Sequence, residues 1–185
     1  EFGEVLVMDW GLAQPLKGFR KTRSITETSS MGGTPAYMAP EMATGPIDKI
    51  CPQSDIYLLG AILFEILTGT PPHIAKNAMK CLMAAARNEI APTDKKGELV
   101  DIALKAMATD PKARHQDVRD FQTAIREYQS HLESIQMSTR AEDDLKEARE
   151  TDDYQNFSRA LFGFQESHEL WSGNKRAQVG VSDAK

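Results

Sequence analysis

Residues 54–68 read Ser54-Asp55-Ile56-Tyr57-Leu58-Leu59-Gly60-Ala61-Ile62-Leu63-Phe64-Glu65-Ile66-Leu67-Thr68 and leave no polar stripe wide enough for a solvated face. A helix that is apolar all round must be enclosed by protein or by lipid. Its apolar run is shorter than the ~18–20 residues that cross a bilayer, and Asp55 and Glu65 interrupt its ends. The stretch therefore reads as the buried central helix of a globular lobe. Ser54 reads as its N-cap, and Gly69 followed by Pro71-Pro72 as its stop. Asp55 stands out. A carboxylate in the first turn of a buried helix gains from the helix dipole but also needs hydrogen-bond donors.

Outward from this helix, composition sets the class. The 185 residues suit one domain with an appendage or a piece of something larger, and the opening at Glu1, in what reads as mid-structure, favours a piece. A hydrophobic fraction of 41% with 26% charged residues is that of a soluble globular protein. The net charge of -5 offers no electrostatic footprint for nucleic acid or an anionic membrane. Cys51 and Cys81 are isolated, which indicates neither a zinc site nor a disulfide framework and fits a reducing, cytoplasmic setting. No signal peptide or transmembrane run is visible in this segment.

Upstream, Glu4-Val5-Leu6-Val7-Met8 follows Gly3 and reads as a strand, the second half of a small hairpin. Asp9-Trp10-Gly11 comes directly after it; alone, such a triplet is most often just a turn. Residues 14–33 lose all apolar period. Lys17, Arg20, Lys21 and Arg23 there lie beside Ser24, Thr26, Thr28, Ser29 and Ser30. A long loop of this kind is a solvated linker or a phosphorylation switch, since a phosphorylated hydroxyl beside Arg or Lys gains charge-assisted hydrogen bonds.

Next come Gly32-Gly33-Thr34-Pro35-Ala36-Tyr37-Met38-Ala39-Pro40-Glu41, then Ser54-Asp55-Ile56-Tyr57 with Gly60, and later Asp110-Pro111 with Arg114. Each motif is weak alone. In this order, after Asp9-Trp10-Gly11 and a hydroxyl-rich loop, the set resembles the eukaryotic-type serine/threonine protein kinases, and most closely those of bacteria, over residues 3–132. The resemblance implies a mainly α, kinase-like C-lobe around the buried helix, with a short N-terminal β-hairpin remnant. It implies ATP and Mg²⁺ as cofactors of the parent kinase and protein substrates as partners. Asp9 matches the magnesium-binding aspartate, a hard oxygen ligand of the type Mg²⁺ requires. Trp10 replaces the usual Phe with its bulk kept. Gly11, Thr34 and Tyr37 fall in the activation segment and substrate pocket, and Thr26, Thr28, Ser29 and Ser30 are the candidate phosphosites. Glu41 and Arg114 match a buried structural ion pair. Asp55 matches the aspartate that accepts backbone hydrogen bonds from the catalytic loop, which supplies the donors it needs.

Downstream of the central helix, residues 76–88 and 98–108 read as helices, and His73 as a loop residue with no partner in view. Val118, Phe121, Ala124, Ile125, Tyr128 and Leu132 recur at three and four and mark a helix closing the lobe. The kinase resemblance ends at residue 132. Residues 134–150 read as a charged connecting helix with a Glu142–Lys146 pair at i,i+4. Tyr154, Phe157, Ala160, Leu161, Phe164, His168 and Trp171 give a second helical stripe, stopped by Ser172-Gly173-Asn174, and residues 177–185 read as a frayed tail. Residues 133–185 thus form a charged linker helix and a loosely tetratricopeptide-like hairpin, truncated. One such hairpin cannot bury its own face, so it docks on the lobe, stacks on further repeats or binds a protein partner.

The chain contains no Gly-x-Gly-x-x-Gly, and no His-Arg-Asp precedes Asp9. The general base and most of an ATP site are therefore absent, no catalytic residue lies within these residues, and the chain alone is expected to be inactive. The alternatives are a pseudokinase scaffold and a protein-interaction module using the C-terminal helices.

Overall fold

The central helix, Pro52–Thr68, begins earlier than Ser54 because Pro52 occupies its first position, where the missing N–H costs nothing. Cys51 is the N-cap, and the Ser54 hydroxyl reaches back to accept the Cys51 N–H at 3.2 Å. The helix stops at Gly69, whose left-handed φ of 78° suits a residue without Cβ, and the Gly69 N–H donates to the Glu65 carbonyl at 2.7 Å. The computed structural model describes Leu6, Met8, residues 10–13 and residues 32–184. The strand and hairpin expected at residues 4–8 lie outside these, save for Leu6 and Met8. Among the described residues the structure is helical and without strands.

The chain divides into two compact units, Glu1–Phe121 and Gln122–Lys185. The first holds α1 (Pro40–Thr44), α2 (Pro52–Thr68), α3 (Ala78–Ala86) and α4 (Glu98–Ala106), and its core of Ala39, Tyr57, Ala61, Phe64, Ala103 and Met107 lies chiefly between α2 and α4. Gly60 lets α2 and α4 touch: a Cβ there would lie 2.6 Å from the Ala106 Cβ and 3.0 Å from the Ala103 carbonyl. A smaller cluster of Met38, Ala43 and Ala85 packs α1 against α3. The central helix is not enclosed on all sides. Ile56, Tyr57, Gly60, Ala61 and Phe64 are buried, whereas Ile62 is 49% and Ile66 73% exposed.

Helix α5 (Val118–Thr151) starts at the end of the first unit and supplies most of its 34 residues to the second. There Ala141 and Leu145 join Ala160 and Phe164 of α6 (Tyr154–Leu170) and Ala184 in a separate core. The tail expected to fray is instead a helix, α7 (Lys175–Asp183), capped by the Asn174 side chain accepting the Ala177 N–H at 3.2 Å. Its buried face is made of small residues, Ala177 and Gly180, which carry little hydropathy signal. The expected Glu142–Lys146 pair gives way to Glu142–Arg176 at 3.2 Å, because α7 brings a guanidinium within reach.

Candidate functional site

The first unit gathers its charged and conformationally special residues around the segment 32–44. Thr34 precedes a single 3₁₀ turn, Pro35–Tyr37, and its carbonyl accepts the Tyr37 N–H at 3.1 Å. The Tyr37 hydroxyl donates to Glu65 Oε2 at 2.8 Å, tying the turn to the central helix. That hydrogen bond, with burial and the Glu65 charge, raises the Tyr37 hydroxyl above its ordinary range. Thr34 itself is exposed, so its hydroxyl faces solvent rather than core.

Below the turn, Met38, Ala39, Pro40 and Glu41 go into the interior. Glu41 sits in the first turn of α1, where a carboxylate suits the helix dipole. Its Oε1 accepts from Arg114 Nη1 at 2.7 Å and from the Ser54 hydroxyl at 2.7 Å, and its Oε2 accepts from Arg114 Nη2 at 2.9 Å. This parallel, two-pronged contact is the strongest ion-pair geometry that arginine makes. Arg114 also donates to the carbonyls of Ala108 (2.8 Å), Gln53 (2.9 Å) and Thr109 (3.3 Å), and lies 5.0 Å over the Tyr57 ring. Burial alone would push the Glu41 carboxyl up; the hydrogen bonds from Arg114, its own backbone and Ser54, with the Arg114 charge, outweigh it and hold the carboxyl below its usual value.

Two expectations are corrected here. Asp55, read as a buried carboxylate, is exposed, whereas Ser54, Ile56 and Tyr57 beside it are the residues of this turn that face inward. Partial desolvation still raises its carboxyl above the ordinary value. His73, read as lacking a partner, is buried and doubly held. Its Nδ1 donates to the Glu89 carbonyl at 3.0 Å and its Nε2 lies 2.8 Å from the Tyr57 hydroxyl. Tyr57 in turn donates to Asn88 Oδ1 at 2.6 Å, and Asn88 Nδ2 donates to the Met107 carbonyl and Thr109 Oγ1, both at 2.9 Å. The available clue was Tyr57 itself, since a tyrosine within a buried helix requires a partner for its hydroxyl.

Gly11 is exposed within the turn Trp10–Leu12. Asp9, Thr26, Thr28, Ser29 and Ser30 lie outside the described residues. Among those described, no group of three or more His, Cys, Asp or Glu is placed to hold a metal. No described helix is long and apolar enough to cross a membrane.

The profile of the Protein kinase domain family matches residues 1–132. The chain belongs to the protein kinase domain family. Its kinase relatives include the serine/threonine-protein kinases PknB of Mycobacterium leprae (33% identical over 126 residues) and of Mycolicibacterium smegmatis (34% over 126 residues). A probable serine/threonine-protein kinase PknB of Lactococcus lactis is 34% identical over 128 residues. The matched stretch is 65–66% of this chain and 20% of each of these relatives. The similarity is to bacterial kinases of the serine/threonine type, and the helical first unit is a kinase-like C-lobe. In that lobe, Glu41 and Arg114 are the ion pair expected from the motifs.

Proposed function

We propose that the kinase lobe forms the substrate-side platform of a serine/threonine protein kinase whose parent chain transfers the γ-phosphoryl group of ATP to protein Ser or Thr hydroxyls. The observation that carries this reading is the Glu41–Arg114–Ser54 cluster. It anchors the end of the activation segment while leaving Thr34 exposed just before it. In the transfer, the substrate oxygen bonds to the γ-phosphorus, the bond to the ADP oxygen breaks and the hydroxyl proton passes to a base. These residues supply the platform and not that base.

A six-coordinate Mg²⁺ needs several oxygen ligands. Asp9 is a single carboxylate, and the described residues hold no metal-binding cluster. They do not by themselves fit a Mg²⁺–ATP site, so we assign nucleotide and metal to the parent kinase, with Asp9 as one ligand. Thr26, Thr28, Ser29 and Ser30 are the proposed phosphosites, Gly11 the turn opening the activation segment, and Asp55 the acceptor for a catalytic loop. Residues 1–132 are the proposed kinase portion, and the isolated thiols favour the cytoplasm.

A second reading, a protein-interaction module, is favoured by the separate core of the second unit and by the exposed Tyr154, Phe162 and Val179 on it. Incubation with radiolabelled ATP and Ser/Thr peptides separates the readings. The 185-residue chain is expected to transfer nothing, and the chain extended through its upstream sequence is expected to label Ser and Thr. No labelling by the extended protein would leave the scaffold reading.

A further inference from the structure

In the second unit α5 and α7 run side by side in the same direction, tied at two levels. Glu142 Oε2 lies 3.2 Å from Arg176 Nε. Seven positions further along both helices, Arg149 Nη2 donates to the Asp183 carbonyl at 3.4 Å. Seven residues are two helical turns, roughly 10 Å. Along this stretch lies an open groove of about 670 Å³. Leu145 and Phe164 form its floor, and Val179, 59% exposed, stands on its α7 wall. A Cβ at Gly180 would run into the Phe164 ring, so α7 lies directly on α6 here.

The charges around the groove alternate. One level sets Glu142 of α5 beside Arg176 of α7, and the other sets Arg149 of α5 beside Asp183 of α7. Each helix therefore shows one sign at the first level and the opposite sign at the second. All four residues are exposed, and their charges cancel. The whole lining holds four cations and three carboxylates, which is close to balance and attracts neither a polyanion nor a polycation from solution.

What complements such a checkerboard is the same checkerboard turned end for end, and a second copy of the chain carries it. A twofold axis lying across the helices places Arg149 of the second copy over Glu142 and Asp183 of the second copy over Arg176, each contact being made twice. Val179 then meets Val179 of the second copy at the centre.

We propose that the α5–α7 groove face is a self-association surface through which two copies of the chain pair about a twofold axis. Two turns of two helices make a small contact, so the pairing is weak, concentration-dependent and sensitive to salt. The inference rests on this surface alone and stands or falls independently of phosphoryl transfer.

The test is sedimentation equilibrium of the whole 185-residue chain at roughly 10–500 µM, where weak pairing is measurable. The chain is expected to dimerise reversibly and to dissociate as salt is raised. Glu142→Arg/Arg176→Glu keeps an ion pair within the chain but makes the α5 side of the groove positive at both levels and the α7 side negative. Arg149→Glu/Asp183→Arg does the reverse. Each variant alone should lose about tenfold or more in self-affinity, and an equimolar mixture of the two should recover it, because opposite signs then face each other. Val179→Lys should weaken pairing as well, and all these chains should keep the parent circular dichroism. A chain that stays monomeric throughout, dimerisation indifferent to these variants, or two charge variants that fail to pair on mixing would overturn the proposal.

Discussion

Arg114 and Glu41, 73 residues apart in sequence, meet through two parallel hydrogen bonds of 2.7 and 2.9 Å inside the first unit. Each closes the other's hydrogen-bonding needs in a place water does not reach. Removing one partner leaves a buried charge without compensation. Arg114→Met is therefore expected to destabilise the first unit by about 3–5 kcal/mol. The double variant Arg114→Met/Glu41→Leu should recover part of that loss. Urea unfolding of the single and double variants checks both values.

The same site sets part of the acid response. The Glu41 carboxyl is held below its ordinary value of 4.5, so the folded state binds this proton less readily than the unfolded chain. Its contribution is complete above that value and is lost as pH falls through the lower, folded one. His115 acts in a higher window. Burial, reinforced by the Lys105 charge, outweighs the opposing effects of Asp120 at 3.6 Å and of the Ile102 backbone and lowers its imidazole from 6.5. Stability should decline first as pH drops below 6.5, because the unfolded chain takes up the His115 proton earlier. His115→Leu is expected to remove that upper decline and leave the lower one, as read from melting temperature against pH.

The contact at Gly60 leaves no room for a side chain. Gly60→Ala places a methyl against Ala106 and Ala103, and separating α2 from α4 is expected to cost roughly 1–3 kcal/mol. Gly60→Ala combined with Ala106→Gly should restore part of the loss, which distinguishes steric overlap from a general effect on the helix. Thermal unfolding of the three chains measures it.

In the second unit, Asn174 is the N-cap that anchors α7. The two N–H groups of its Nδ2 have four acceptors within reach, the Ser134 carbonyl at 3.1 Å and the hydroxyls of Ser134 (2.9 Å), Ser138 (3.0 Å) and Ser167 (3.1 Å), while its Oδ1 caps the helix. A nine-residue helix has little stability of its own. Asn174→Ala is expected to cost about 1–3 kcal/mol and to release α7 first, seen as faster amide exchange at residues 175–183 than in the parent chain.

The lobe was legible wherever large apolar residues or turn-forming residues carried the signal. The all-round hydropathy of residues 54–68 located α2, and Gly69 with Pro71-Pro72 located its end. The ordered motifs around Glu41 and Arg114 located the ion pair. Legibility failed where burial depends on partners distant in sequence. Asp55 and Ile66 looked interior because hydropathy reports what a side chain prefers and not which side of the helix is covered. His73 and His115 gave no pattern at all, since each is buried by neighbours contributed from separate segments. Helix α7 was missed because Ala177, Gly180 and Ala184 bury small faces, and its cap depends on serines of α5 and α6.

The kinase reading meets its most direct test in phosphate transfer by the extended protein carrying Asp9→Asn. With radiolabelled ATP, the unsubstituted protein should label serine and threonine and leave tyrosine unlabelled, and Asp9→Asn should abolish the signal while the fold, followed by circular dichroism, persists. Transfer undiminished by Asp9→Asn, or label found on tyrosine alone, would contradict the assignment of this lobe to a serine/threonine kinase that uses Asp9.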